Sequence, residues 1–82
     1  MKKYFDQVEF IKEVWNDSSC DRKDPFVQGM YVGQLQTVEH FALNDIKTKE
    51  DRHEFRKLCD LIREISHDII HYEEEDDENK SI

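Results

Sequence analysis

Apolar residues recur along three stretches of this chain with the spacing of an α-helix, and polar, aperiodic segments separate them. Across residues 2–16, Tyr4, Val8, Ile11 and Trp15 follow one another at intervals of four, three and four, with Phe5 and Val14 at the flanks. A stripe of that spacing buries one side of a helix and leaves the other to water. Phe10 falls off the stripe, so it is expected either to be an exposed aromatic or to serve a second contact.

Residues 17–23 carry no periodicity, and Asp24-Pro25 then reads as a helix N-cap followed by proline at the first helical position. Over residues 26–43, Val27, Met30, Tyr31, Gln34, Val38, Phe41 and Asp45 fall along one side, with Leu35 and Ala42 at its margin. A second helix is expected there, although Gly29 and Gly33 each weaken it by roughly 1 kcal/mol relative to alanine.

Thr48 with Asp51 three positions on resembles a Ser/Thr-x-x-Glu capping box, so a third helix begins at that point. Phe55, Leu58, Cys59, Ile62, Ile65, Ile69 and Tyr72 then supply the clearest stripe in the chain, widened by Leu61 and Ile70. Glu54 with Lys57, Arg56 with Asp60 and Asp60 with Arg63 suit a solvent-facing opposite side. No repeat, linker or strand-like alternation interrupts this reading. The pattern predicts an all-α fold, a small three-helix bundle over residues 1–72, followed by a disordered acidic tail over residues 73–82.

Length adds an expectation about assembly. With 82 residues the chain buries only about 60% of the surface its unfolded form exposes, so its own core is marginal and a homodimer is expected. The stripe of the third helix resembles a short heptad seam, which would suit pairing across a dimer.

The net charge is −8, and its distribution matters more than its size. Glu73, Glu74, Glu75, Asp76, Asp77 and Glu78 against Lys80 leave residues 73–82 at −5 and residues 1–72 at −3. Lys and Arg cluster nowhere, which disfavours direct nucleic-acid binding and attachment to a membrane surface. Two cysteines, Cys20 and Cys59, do not make a disulfide framework, and no export signal or membrane span is apparent. These features predict a cytoplasmic protein.

Candidate chemistry is sparse. His67 and His71 lie four residues apart on a helix, with Glu64, Asp60 and Asp68 beside them, a spacing zinc can use. That face is opposite the isoleucine stripe and lacks a closed ligand set, so Glu64, His67 and His71 define a metal- or nucleotide-binding alternative rather than the leading reading. Cys59, inside the apolar stripe, reads as a buried, inert thiol and Cys20 as a loop cysteine. No nucleophile, base and oxyanion arrangement emerges, and paired acidic motifs of the kind that hold magnesium in helical pyrophosphatases match poorly, so neither an enzyme nor a cofactor is expected.

Two features point instead to a protein partner. Gly29, Gly33 and Thr37 form a small-residue strip at spacing four, with Gln36 and His40 beside it, where another backbone could approach closely. The run from Glu73 to Glu78 either solubilises the chain or imitates nucleic-acid phosphates in a basic groove. Gly, Ala, Pro and Arg together number only 8, a bias that an AT-rich genome, such as that of many bacteriophages or low-GC bacteria, would produce, as would chance in a short helical chain. The resulting expectation is a small acidic interaction module. Its most specific form is an inhibitor or modulator of a host nucleic-acid-handling or defence enzyme, acting in the host cytoplasm as a phage-type counter-defence protein. A structural subunit of a larger assembly is a third expectation, and it would show open-ended association when made alone.

Overall fold

Two of the three helices start where a side chain satisfies backbone groups that no preceding turn can reach. The computed structural model describes residues 1–17 and 21–72, and within them three helices follow in order. These are α1 (Lys2–Asp17), α2 (Pro25–Asn44) and α3 (Lys49–Ile70). The chain is an all-α three-helix bundle. Asp24, in extended conformation, caps α2 by accepting the Phe26 N–H at 2.9 Å, and Pro25 occupies the first helical turn.

Thr48 caps α3 by accepting the Asp51 N–H at 3.0 Å. The reciprocal arm of this capping box is shifted by one residue, since the Asp51 carboxylate accepts the N–H of Lys47 at 3.1 Å rather than that of Thr48. Glu50 and Asp51 in the first turn also complement the positive end of the helix dipole. Gly29 and Gly33 do not break α2, and no described residue has positive φ.

The core draws four residues from each helix. Tyr4, Val8, Ile11 and Trp15 meet Tyr31, Leu35, Val38 and Ala42, and both sets meet Leu58, Ile62, Ile65 and Ile69. Phe5, Val27, Val32, Phe55, Leu61 and Tyr72 pack around this centre at partial burial. Helix α2 packs against both neighbours, while α1 and α3 meet more sparingly. No polar or charged residue is buried among the described residues.

The central stripes of α1 and α3 are those the spacing predicts, but Val14 and Ile70, expected to widen them, are exposed. The face of α2 is not the one predicted. Leu35 and Ala42, expected at the margin, are fully buried, whereas Met30, Gln34 and Phe41, expected on the core side, point outward. Asp45 lies just past the helix as its C-cap rather than on its apolar side. The cause is compositional: apolar residues surround α2 almost completely, so period alone selects no face, and the fit against Trp15 and the isoleucines of α3 decides.

Two polar clusters close the bundle. At one end the Tyr4 hydroxyl donates to the Asp45 carboxylate at 2.9 Å, and the Lys3 ammonium lies 3.5 Å from the same oxygen. At the other, Trp15 meets Tyr31 and Tyr72 edge to face, with centroids 5.1 and 5.8 Å apart. The Arg22 guanidinium lies over Tyr72 at 4.9 Å and over Trp15 at 5.9 Å. Gln28 fixes that approach by donating to the Arg22 carbonyl at 2.8 Å.

Candidate protein-interaction face

The residues that α2 turns away from the core form an uncharged, partly aromatic surface. At about 100° per residue, Phe26, Met30, Gly33, Thr37 and Phe41 fall within a sector of about 80°, centred about 130° from the buried face. Phe26 is 74% exposed, Met30 51% and Phe41 58%. The sequence-predicted Gly29 and His40 border this sector on one side. Glu39 is the one Asp, Glu, Lys or Arg in α2, and it lies half-buried on the α3 side, close enough to Cys59 to act on its thiol.

A groove of about 340 Å³ between α1 and α2 continues this surface. Asp6, Gln7, Phe10, Ile11 and Val38 line it, and Phe10 is 65% exposed at its edge. Phe10 is therefore exposed, and no contact among the described residues buries it. By contrast, α3 presents Arg52, His53, Arg56, Lys57, Asp60, Arg63 and Glu64 to solvent, with the Lys57 ammonium 3.9 Å from Glu54. That is an ordinary solvated helix face. The exposed aromatics lie on α1 and α2, not on α3.

Gly33 and Thr37 of the small-residue strip sit inside this sector, and Gly29 sits at its border. A methyl group placed at Gly29 or Gly33 would meet nothing within 4 Å beyond the helix's own backbone, so no neighbour among the described residues needs either glycine. Thr37 donates its hydroxyl to the Gly33 carbonyl at 2.9 Å and so presents its methyl outward as a small apolar group. His40 stands 3.5 Å from the Asn44 side chain and lines a groove of about 430 Å³ with Leu43, Phe55 and Cys59. The other expected partner-binding residues, Glu73, Glu74, Glu75, Asp76, Asp77 and Glu78, lie outside the described residues, as does Cys20.

The remaining candidates gather no further chemistry. His67 and His71 stack with ring centroids 4.3 Å apart on the exposed side of α3, near Glu64. Among the described residues no group of three or more His, Cys, Asp or Glu is placed to hold a metal ion. Cys59, expected to be buried, is half-buried at the groove it lines with His40. Desolvation still pushes its thiol up to about 11, with a hydrogen bond to Glu39 acting in the same direction, so it is not a thiolate at neutral pH. No helix among the described residues is long and apolar enough to cross a membrane.

Sequence reasoning singles out Gly29, Gly33, Thr37 and His40 but misses Phe26, Met30 and Phe41 as members of the same surface. The available signal is the near absence of charge on α2, since a solvated helix of 20 residues ordinarily carries several. Comparison with family models, curated proteins and solved structures found no match.

Proposed function

We propose that this chain is a protein-interaction module that works by laying the uncharged outer face of α2, with the adjoining α1/α2 groove, against another protein. The observation that carries this reading is the exposure of Phe26, Met30 and Phe41 within one uncharged sector of α2, with Phe10 at the edge of the adjoining groove. The outer side of α3, by contrast, carries mostly charged residues, and the exposed Leu43 and Ile70 lie outside that sector. Aromatic and methionine side chains are enriched at protein interfaces and charges are depleted there, and a surface of this kind is otherwise an aggregation hazard. The narrower reading is an inhibitor or modulator of a nucleic-acid-handling enzyme in a host cytoplasm. Its support is the overall acidity and the six-carboxylate run in the sequence.

The test is co-purification with a tagged chain from its native cells, with an untagged copy of the chain included as prey. Four forms are compared: the unaltered chain, Met30→Glu, the α3 surface change Arg56→Glu, and a chain ending at Tyr72. Partners lost with Met30→Glu and kept with Arg56→Glu support the α2 face. Partners kept with Met30→Glu but lost on truncation or at raised salt move recognition to the acidic terminus and overturn the reading.

A further inference from the structure

We propose that the occupant of the outer α2 face is a second copy of this chain, packed antiparallel about a two-fold axis that passes between Gly33 and Gln34. This rests on the preceding reading that the α2 face is a protein-binding surface, and it names the partner.

Three observations carry it. The first is the order of residues along the face. Phe26 and Phe41 are equidistant from the Gly33–Gln34 midpoint, and so are Met30 and Thr37. A two-fold interface is isologous, so each residue must find its complement on the same patch of the other copy. Antiparallel packing about that midpoint sets Phe26 against the other copy's Phe41 at both ends of a seam about 22 Å long. It also sets the long Met30 side chain over the small Thr37, and it sets Gly33 of each copy opposite the exposed Gln34 of the other, where the missing side chain leaves room for the glutamine.

The second is the space at the glycines. Among the described residues no atom beyond the helix's own backbone lies within 4 Å of a methyl group at Gly29 or Gly33, so their small size serves no packing contact there. A close helix crossing uses that space.

The third is charge against area. Each copy carries −8, so two copies repel wherever charged surfaces meet, and the outer face of α2 is where they can approach without bringing like charges together. At roughly 200 Å² for a large side chain, the exposed parts of Phe26, Met30 and Phe41 present roughly 350–400 Å² per copy. With the uncharged residues between them, the area removed from two copies reaches about 1,000–1,200 Å², the lower end for specific interfaces. A dimer with a dissociation constant on the order of micromolar follows, rather than a permanent one.

Sedimentation equilibrium of the full chain from about 1 µM to about 1 mM reads this directly. The mass is expected to rise from 10.0 kDa toward twice that value, and dimerisation is expected to tighten with added salt, because screening relieves repulsion between two acidic copies. Phe26→Glu and Phe41→Lys, both at exposed positions, are each expected to weaken the dimer at least about tenfold. Combining the two substitutions in one chain sets an introduced carboxylate against an introduced ammonium of the other copy at both ends of the seam. The double variant is expected to recover most of the lost affinity.

Concentration-independent monomer mass overturns the proposal. So does a dimer that both single changes leave intact. A double variant no tighter than its singles overturns the antiparallel register. If the chain stays monomeric while Met30→Glu abolishes binding of a different protein, this inference fails and the interaction-module reading survives. If Met30→Glu changes neither, both fail.

Discussion

The Tyr4 hydroxyl donates to the Asp45 carboxylate at 2.9 Å, tying the first turn of α1 to the residue that ends α2, 41 positions away in sequence. This link fixes the antiparallel register of the two helices that carry the candidate face, and Lys3 reinforces it from 3.5 Å. The contact shifts all three groups. Asp45 is held below its ordinary value, first by the Tyr4 hydrogen bond and then by the Lys3 charge. Tyr4 is raised by burial and then by its bond to Asp45, and Lys3 is raised by the charges of Tyr4 and Asp45.

The pH dependence of stability follows from those directions. Asp45 contributes stability above its unfolded value near 3.8, and that contribution disappears as pH falls through its depressed folded value. Tyr4 and Lys3, both raised, contribute fully below their ordinary values of 10.0 and 10.5 and lose the contribution as pH climbs through the raised ones. Thermal unfolding at pH about 3, 7 and 11 is expected to show Tm falling at both extremes, and Tyr4→Phe should flatten both limbs. An unchanged profile in Tyr4→Phe would show that the link does not contribute.

Trp15 sits at the other end of the core among Tyr31, Tyr72 and Arg22. Trp15→Ala is expected to cost about 3–5 kcal/mol, enough to leave a domain of this size largely unfolded. Arg22→Gln, which removes only the cation over the rings, should cost no more than about 1 kcal/mol. Chemical denaturation monitored by circular dichroism separates the two, and equal losses would contradict the assignment of the Trp15 side chain to the core.

Gly29→Ala and Gly33→Ala should each stabilise the isolated chain by about 0.5–1 kcal/mol, because the added methyl enters open space and the helix loses a flexible residue. Measured at a concentration too low for association, a rise in denaturation midpoint is expected for both. A fall at either position would mean that the glycine is needed within the fold itself.

Cys59 should be slow to react. With its thiol pushed up to about 11 by burial and by Glu39, it is expected to attack a disulfide reagent at pH about 8 at least about tenfold more slowly than a small free thiol. A Cys20→Ser background leaves one thiol to follow. Denaturant should abolish the protection, whereas fast reaction in the folded chain would contradict the partial burial of this side chain.

The sequence is informative where polar and apolar residues segregate. Helices α1 and α3 each show one apolar stripe against charged neighbours, so spacing alone assigns Tyr4, Val8, Ile11 and Trp15, and Leu58, Ile62, Ile65 and Ile69, to the core. The caps at Asp24 and Thr48 are equally readable, because short polar side chains before a periodic run have one local use. Helix α2 defeats the same method. Phe26, Val27, Met30, Tyr31, Val32, Leu35, Val38, Phe41, Ala42 and Leu43 surround it, and only packing against α1 and α3 separates Leu35 and Ala42 from Met30 and Phe41. The ambiguity is physical rather than accidental. A helix that carries apolar residues both toward its core and on its outer face loses the one-sided stripe that would reveal the core side. The glycines are legible as small residues, but their open surroundings are not, since only coordinates show what a methyl group would meet.

On the proposed function, the outer face of α2 is covered by protein when the chain is at work. Hydroxyl-radical footprinting read by mass spectrometry measures this at the residues concerned, comparing the purified chain at about 1 µM or below with the chain inside its native cells. Protection of Phe26, Met30 and Phe41, with Arg56, Lys57 and His53 of α3 labelled equally in both, is the expected result. Equal labelling of the α2 residues in both settings, or protection confined to α3, would contradict the account.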